Sequence, residues 1–355
     1  MRGRTGGRRT LLAYGIALAF LVGAILYSSM VGAADLDPAG TAAALLDKLP
    51  LVRLHSDLTP LQQAVLFQIR LPRVLLGALV GGLLALAGAG YQGVFRNPLV
   101  DSGLLGSSAG AGLGATIAIV YLGGTGSGTV PVAAFAGALA GVAVAYVTGS
   151  VAAAGGARGD GSATGFGTTT LLLAGVAVGM FLTAVQTLVL QRSTQDLQQV
   201  YSWLLGSLAG AGWHQDLEIL PYAAVSTLIT LVHGRHLDVL AVGDEEARAL
   251  GMNAGRVRLL VVAACSLAAA SAVAVGGLIG FVGIVVPHAV RRLAGTSYRR
   301  VLPLSALFGA AFLVLADTAA RTVLAPAELP IGVITALVGT PAFIWILRSA
   351  RPVRT

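Results

Sequence analysis

The sequence predicts an all-α polytopic membrane protein, about ten transmembrane helices in one domain over residues 1–355, some of them short and broken. Three observations carry this. Hydrophobic residues make up 56% of the chain and charged residues 11%, where soluble domains hold roughly 25% charge. Apolar runs of about 20 residues recur along the whole length, enough to cross hydrocarbon as helices. The runs are continuous rather than alternating, which excludes a membrane β-barrel. The 48 glycines, set among alanines, fit tight helix packing in lipid, where small residues let backbones approach.

The N-terminus carries four arginines ahead of an apolar run at residues 11–34. A signal peptide would have an apolar core of only about 7–15 residues, so this is a first span with a cytoplasmic start. Residues 35–61 form a polar outer segment with room for a surface helix. The second span covers 62–95. Arg70 and Arg73 sit at its outer end, against the usual charge bias, and either reach lipid phosphates or hold a partner. Arg96-Asn97-Pro98-Leu99 breaks the chain inside. The third span covers 102–122, the turn GGTGSG follows, and the fourth covers 130–153.

Residues 154–168 are a Gly-rich inner loop, after which Thr168, Thr169 and Thr170 can cap a fifth span at 169–190. The segment YSWLLGSLAGAGW is too short to span and reads as a re-entrant or broken helix, tolerated where backbone lines a cavity. The sixth span covers 217–232 and the seventh 259–275. Residues 276–288 read as an outer turn and a short, broken eighth span ended by Pro287. The ninth, 301–324, places Asp317 and Arg321 four residues apart, able to pair on one face. The tenth covers 331–347. Arginines after spans eight and ten put both termini in the cytoplasm, which requires an even number of spans. GAGYQGVFRNP and GLIGFVGIVVP, ending at Pro98 and Pro287, suggest an inverted repeat of spans 2–5 and 7–10.

Composition also excludes functions. The net charge of +8 is nearly all arginine, because Lys48 is the only lysine, and in such a chain it reports topology and lipid contact rather than nucleic acid. Lys48 has no glycines before it, so the chain holds no P-loop, and any ATP-driven work needs a separate ATPase. The single Cys265 excludes an intramolecular disulfide and a cysteine metal cluster. His55, His214, His233, His236 and His288 lack metal-ligand or triad spacing. No catalytic group, metal or cofactor is expected.

One stretch stands apart from the apolar background. Between Arg235 and Arg258 there are eight charged residues. Asp244, Glu245 and Glu246 open a short helix that Asp244 can cap, with Arg248 on the face of Asp244 and Gly251 at the end. A helix of two turns is not stable alone in water, so something packs against it. A solvated loop between spans is the competing reading.

RLPRVLLGALVGGLLALAGAGYQGVFRNPLVDSGLLGSSAGAGLGA, TTTLLLAGVAVG, GDEEARALGM, GGLIGFVGIVVPHAVRRLAG, LADTAAR and ELPIGVITALVGTPAFIWIL together resemble the permease subunits of type II ABC importers, which take up iron–siderophore complexes, haem and cobalamin. The resemblance covers residues 60–350. It implies ten helices per subunit, a second copy of the permease or a related one, two ATPase subunits inside and a periplasmic or lipid-anchored binding protein outside. It also implies a bacterial cytoplasmic (inner) membrane location. The segment around Asp244, Glu245, Glu246, Ala247, Arg248, Leu250 and Gly251 matches the helix that couples to the ATPase. Arg70, Arg73 and Arg321 match arginines that grip glutamates of the binding protein. Asn97 and Leu99 match one cytoplasmic constriction, and Thr168 and Thr169 another. The small-residue fifth span is a pathway wall or a packing surface. From another class, an ion-coupled secondary transporter would need a mid-membrane carboxylate, with Asp317 and Glu218 as candidates.

Overall fold

A computed structural model describes residues 3–32, 36–48, 56–123, 128–156, 168–193 and 195–349. Among them, fifteen α-helices and one π-helical stretch follow one another. Each of the ten expected spans overlaps a helix, the eighth only in its second half. Among the described residues, six helices are long and apolar enough to cross a membrane, or seven if one bent pair counts as a single span.

Helix α1 (Gly3–Met30) is mostly exposed on the outside of the bundle. The polar segment after it holds α2 (Pro38–Asp47), where Asp37 Oδ2 accepts from Gly40 N at 2.6 Å to satisfy a free helix-start donor. Next, α3 (Pro60–Ala64), a π-helical turn (Val65–Arg70) and α4 (Leu71–Phe95) form one run, whose apolar window is 83% buried. The centre of the bundle is α4. Glycines let its neighbours close in: a Cβ on Gly88 would lie 2.1 Å from Gly283 O, and one on Gly81 would lie 2.3 Å from Gly309 O.

The third span, α5 (Ser107–Leu122), starts five residues later than expected, because residues 101–106 turn and Gly106 takes φ +83°. It packs on α6 (Thr129–Gly156), and α7 (Thr168–Leu190) lies against both. The expected inner loop falls largely on residues 157–167, outside the described residues; its first residues, 154–156, continue α6. The expected broken helix at residues 201–213 is helical mainly at its start: α8 (Leu197–Leu204) begins in the polar segment before it, and residues 205–212 are not helical. The chain after it is held by Ser207 N donating to Gly276 O, and by Ile331 N and Gly332 N donating to Gly206 O and Leu205 O.

Helix α9 (Trp213–Val232) bends by 47° into α10 (Gly234–Val242). Then come α11 (Asp244–Ala249) and α12 (Ala254–Gly276), the latter starting five residues earlier than expected because Asn253 accepts from Arg256 N at 3.0 Å. After a non-helical stretch, α13 (Val282–Ala294) carries Pro287 inside it rather than at its end. His288 is therefore inside the helix, and its buried Nε2 has no hydrogen-bond partner. The two repeat-like segments also differ: 88–95 is helical, whereas 277–281 is not. Last come α14 (Tyr298–Thr322) and α15 (Ile331–Ser349). Asp238 of α10 accepts from Ser297 Oγ and Tyr298 N, tying α10 to the start of α14.

Candidate coupling, gating and docking sites

The charged stretch folds as a compact knob. Helix α11 is a turn and a half long, too short to persist alone. Its one buried side chain, Ala247, is fully enclosed, while Leu250 stays 72% exposed. Gly251, at φ +76°, lets the chain reverse: Gly251 N donates to Arg248 O and Met252 N to Ala247 O, both at 2.9 Å. That bond pair is a Schellman stop and uses carbonyls the short helix would leave free. The three acids lie in the first turn, where the dipole favours them.

Asp244 behaves differently from expectation. The N-cap is Gly243, with no side-chain cap bond, and Asp244 is the first helical residue. Its carboxylate reaches across the chain, not along the helix to Arg248. It binds Arg258 Nη2 of α12, and Arg96 Nη2 at the end of α4 lies 3.2 Å away. Burial pushes the Asp244 carboxyl up, but the hydrogen bond and charge of Arg258, then the charges of Arg96 and Arg248, hold it below the usual carboxylate range.

The turn carrying Asn97 and Leu99 begins at Arg96. Arg96 is in the left-handed region at φ +50°, where a side chain costs about 1 kcal/mol. Asn97 Oδ1 accepts from Leu99 N at 3.0 Å, which stiffens the turn, and Leu99 is exposed. Behind it the buried Gln92 carboxamide donates to Val100 O at 3.1 Å and Gly283 O at 2.9 Å, and accepts from Arg291 Nη2 at 2.5 Å. Thr168 and Thr169 both lie inside the first turn of α7, and Thr169 is exposed. Gly175 packs on Leu104 and Leu105, so this helix start lies at the same end of the molecule as the Asn97 turn. An open cavity of about 770 Å³ runs along α7, lined by Gly103, Ser108, Gly175, Met180, Gln186 and Leu278 among others.

At the opposite end the three arginines gather, but they do not point outward. Arg70 is buried and donates from Nη1 to Ser29 O and Met30 O at 3.1 and 2.9 Å. Arg321 donates to Ser28 O and Ser28 Oγ. Both occupy the negative end of α1, where carbonyls lack helical partners. Arg73 donates from Nε and Nη2 to Asp317, and from Nη1 and Nη2 to Glu328 at 2.8 and 3.0 Å. The expected Asp317–Arg321 pair is present as an ion pair, Arg321 Nε lying 3.5 Å from Asp317 Oδ2, while the shorter, hydrogen-bonded contacts of Asp317 go to Arg73. Glu218, the other acid considered, is exposed beside His214 at 3.4 Å.

Sequence reasoning gave no role to Arg96, Gln92, Arg258 or Glu328. Their one visible signal was charge or amide at the end of an apolar run. Their partners lie between 8 and 255 positions away in the chain.

A bundle of apolar helices, with a charged knob at one end and buried arginines at the other, fits the membrane subunit of a transporter. The chain belongs to the FecCD transport family, whose model matches residues 19–349, and is a permease subunit of a type II ABC importer. It is 42% identical over 81% of its length to a cobalamin import system permease protein of Halobacterium salinarum, covering 74% of that protein. It is 39% identical over 82% of its length to an Fe(3+)-citrate import system permease protein of Bacillus subtilis, covering 83% of it. A solved metal-chelate type ABC transporter in an inward-facing conformation superposes with a TM-score of 0.78 at 29% identity, covering 95% of this chain and 98% of that one. In this family ATP is hydrolysed on another subunit, which sets aside the ion-coupled secondary transporter.

Proposed function

We propose that this permease carries an iron–siderophore complex into the cytoplasm, working as a homodimer with both termini inside. In this reading two ATPase subunits dock on Asp244–Gly251, with Ala247 holding the knob to the bundle and Leu250, Glu245 and Glu246 meeting the ATPase. The binding protein docks over Arg70, Arg73 and Arg321. Asn97 and Leu99, with Thr168 and Thr169, close the inner end of a path walled by α7. The observation that carries the reading is the knob: a six-residue helix, closed by a Schellman stop and anchored by one enclosed alanine, displays an exposed leucine and two exposed acids. Such a surface transmits a rigid-body push from a docked partner.

An iron chelate as cargo is supported by the ferric-citrate permease relative and the metal-chelate type structural neighbour. The cobalamin permease relative, at similar identity, supports cobalamin as the second reading, with haem beside it. One assay decides between them. Proteoliposomes holding permease, ATPase and binding protein are offered a ferric siderophore, haem or cobalamin, with ATP inside. Siderophore uptake that needs internal ATP is the expected result. Uptake of cobalamin or haem alone replaces the cargo assignment.

A further inference from the structure

We infer that Arg96 is a positioning residue that transmits motion of the ATPase-docked knob to the Asn97–Leu99 turn. The inference rests on the docking and gating roles proposed above and adds the link between them.

The first observation is conformational. Arg96 ends α4 in the left-handed region, φ +50° and ψ +34°, with its N–H on Gln92 O. Helices that stop this way favour glycine, because a Cβ is strained there. This chain places glycine at the equivalent stop of α11, Gly251, and arginine here. The fold alone would be served by glycine, so the arginine side chain is retained for what it touches.

What it touches is the knob. Arg96 Nη2 lies 3.2 Å from Asp244 Oδ1, and the same oxygen accepts from Arg258. Asp244 opens α11, so displacement of that helix moves the carboxylate that Arg96 follows. Arg96 is covalently next to Asn97, and the turn beyond it is built to move as one piece. Asn97 N donates to Gln92 O at 3.3 Å, Leu99 N to Asn97 Oδ1 at 3.0 Å, and Gln92 Nε2 to Val100 O at 3.1 Å. Gln92 in turn holds Gly283 O and Arg291 of α13. The turn is therefore gripped from the knob on one side and from the bundle on the other. A rigid segment held at two points shifts between two positions rather than deforming. Half-exposed ion pairs add little stability, so the pair serves register better than it serves folding.

The test uses the complete complex of permease, ATPase and binding protein in proteoliposomes, measuring ATP hydrolysed per cargo molecule imported. Arg96→Gly removes the side chain while suiting the backbone better, so loss of folding does not confuse the result. The expected outcome is an ATPase that stays bound and active, with ATP per cargo raised about threefold to tenfold. Arg96→Lys, which keeps the charge, should return within about twofold of the original ratio. An unchanged ratio in Arg96→Gly overturns the inference. So does an ATPase that dissociates from Arg96→Gly, which would make Arg96 a docking residue, or a lysine variant as impaired as the glycine one. Normal assembly and uptake in Ala247→Pro would instead remove the docking reading beneath it.

Discussion

The two ends of this permease are built around the same device and use it in opposite ways. At each end a sparsely exposed aspartate receives guanidinium groups from distant helices: Asp244 takes Arg258 and Arg96, and Asp317 takes Arg73. At the end proposed to face the cytoplasm the aspartate belongs to the projecting element, and the groups left over are exposed acids and a leucine. At the end proposed to face outward it lies inside the bundle, and the arginines are already occupied by Asp317, Glu328 and the last carbonyls of α1. A partner at the inner end meets an open surface. A partner at the outer end must exchange with bonds the chain makes to itself. Charge of this kind fixes register and steers encounter more than it adds affinity.

Breaking the inner end should have the largest effect. Ala247 is enclosed and its N–H donates to Gly243 O at 3.2 Å, so Ala247→Pro removes a bond and inserts a ring where no space exists. A loss of about 3 kcal/mol in the local helix corresponds to ATPase retention lower by on the order of 100-fold in co-purification. Retention at the normal level would mean that α11 is not the contact.

The outer end sharpens the comparison through two variants with opposite signs. Arg73→Gln leaves buried Asp317 without its main partner and should lower stability by about 3 kcal/mol, seen as a lower melting temperature, while weakening binding-protein docking. Charge reversal at Arg73 would be harsher still, placing a third carboxylate beside two. Glu328 is different, being the exposed member of the cluster. Glu328→Gln weakens its hold on Arg73 at little cost in folding and should tighten docking about threefold, read from the binding protein's dissociation constant. Weaker docking in Glu328→Gln would show that the glutamate orients Arg73 instead of covering it.

Much of this was legible beforehand, for identifiable reasons. The spans follow from apolar length, because lipid permits so few backbones, and Gly206, Gly210 and Gly212 mark the non-helical stretch that follows α8. The knob was visible because charge is rare here, and Gly251 because few other residues end a helix in that way. Partner choice was legible only in part. Arg248 was a sound local partner for Asp244 by spacing, but Arg258 and Arg96 win because α12 and α4 converge on the same carboxylate. Asp317 does pair with Arg321, four residues on, as its spacing suggested, but its shorter bonds go to Arg73, which the fold brings from 244 positions away. The register of α13 failed for another reason. Proline reads as a stop, yet Pro287 is the sixth residue of its helix, and the Gly283 carbonyl that its missing N–H leaves open accepts from Gln92 Nε2 instead.

The smallest expected effect is with pH, and it separates the ends again. The Asp244 carboxyl is held below the usual range despite burial, by Arg258 first. The Glu328 carboxyl is held down chiefly by its hydrogen bond to Arg73. A carboxyl with a depressed folded pKa binds fewer protons when folded, so its contribution is complete above the ordinary value of about 4 and disappears as pH falls through the depressed one. ATPase retention should therefore stay flat from about pH 8 to pH 5 and decline only below about pH 4, with Asp244→Asn removing that acid limb. At the outer face the order of protonation matters. Ordinary carboxylates on a docking partner take up protons before Glu328 does, so acid weakens docking while Arg73 is still covered. Glu328→Gln should shift the acid midpoint of docking downward by a few tenths of a pH unit, about the threefold gain in affinity, when binding is followed by titration. An unshifted midpoint would mean that Glu328 and the partner do not compete for the same guanidinium.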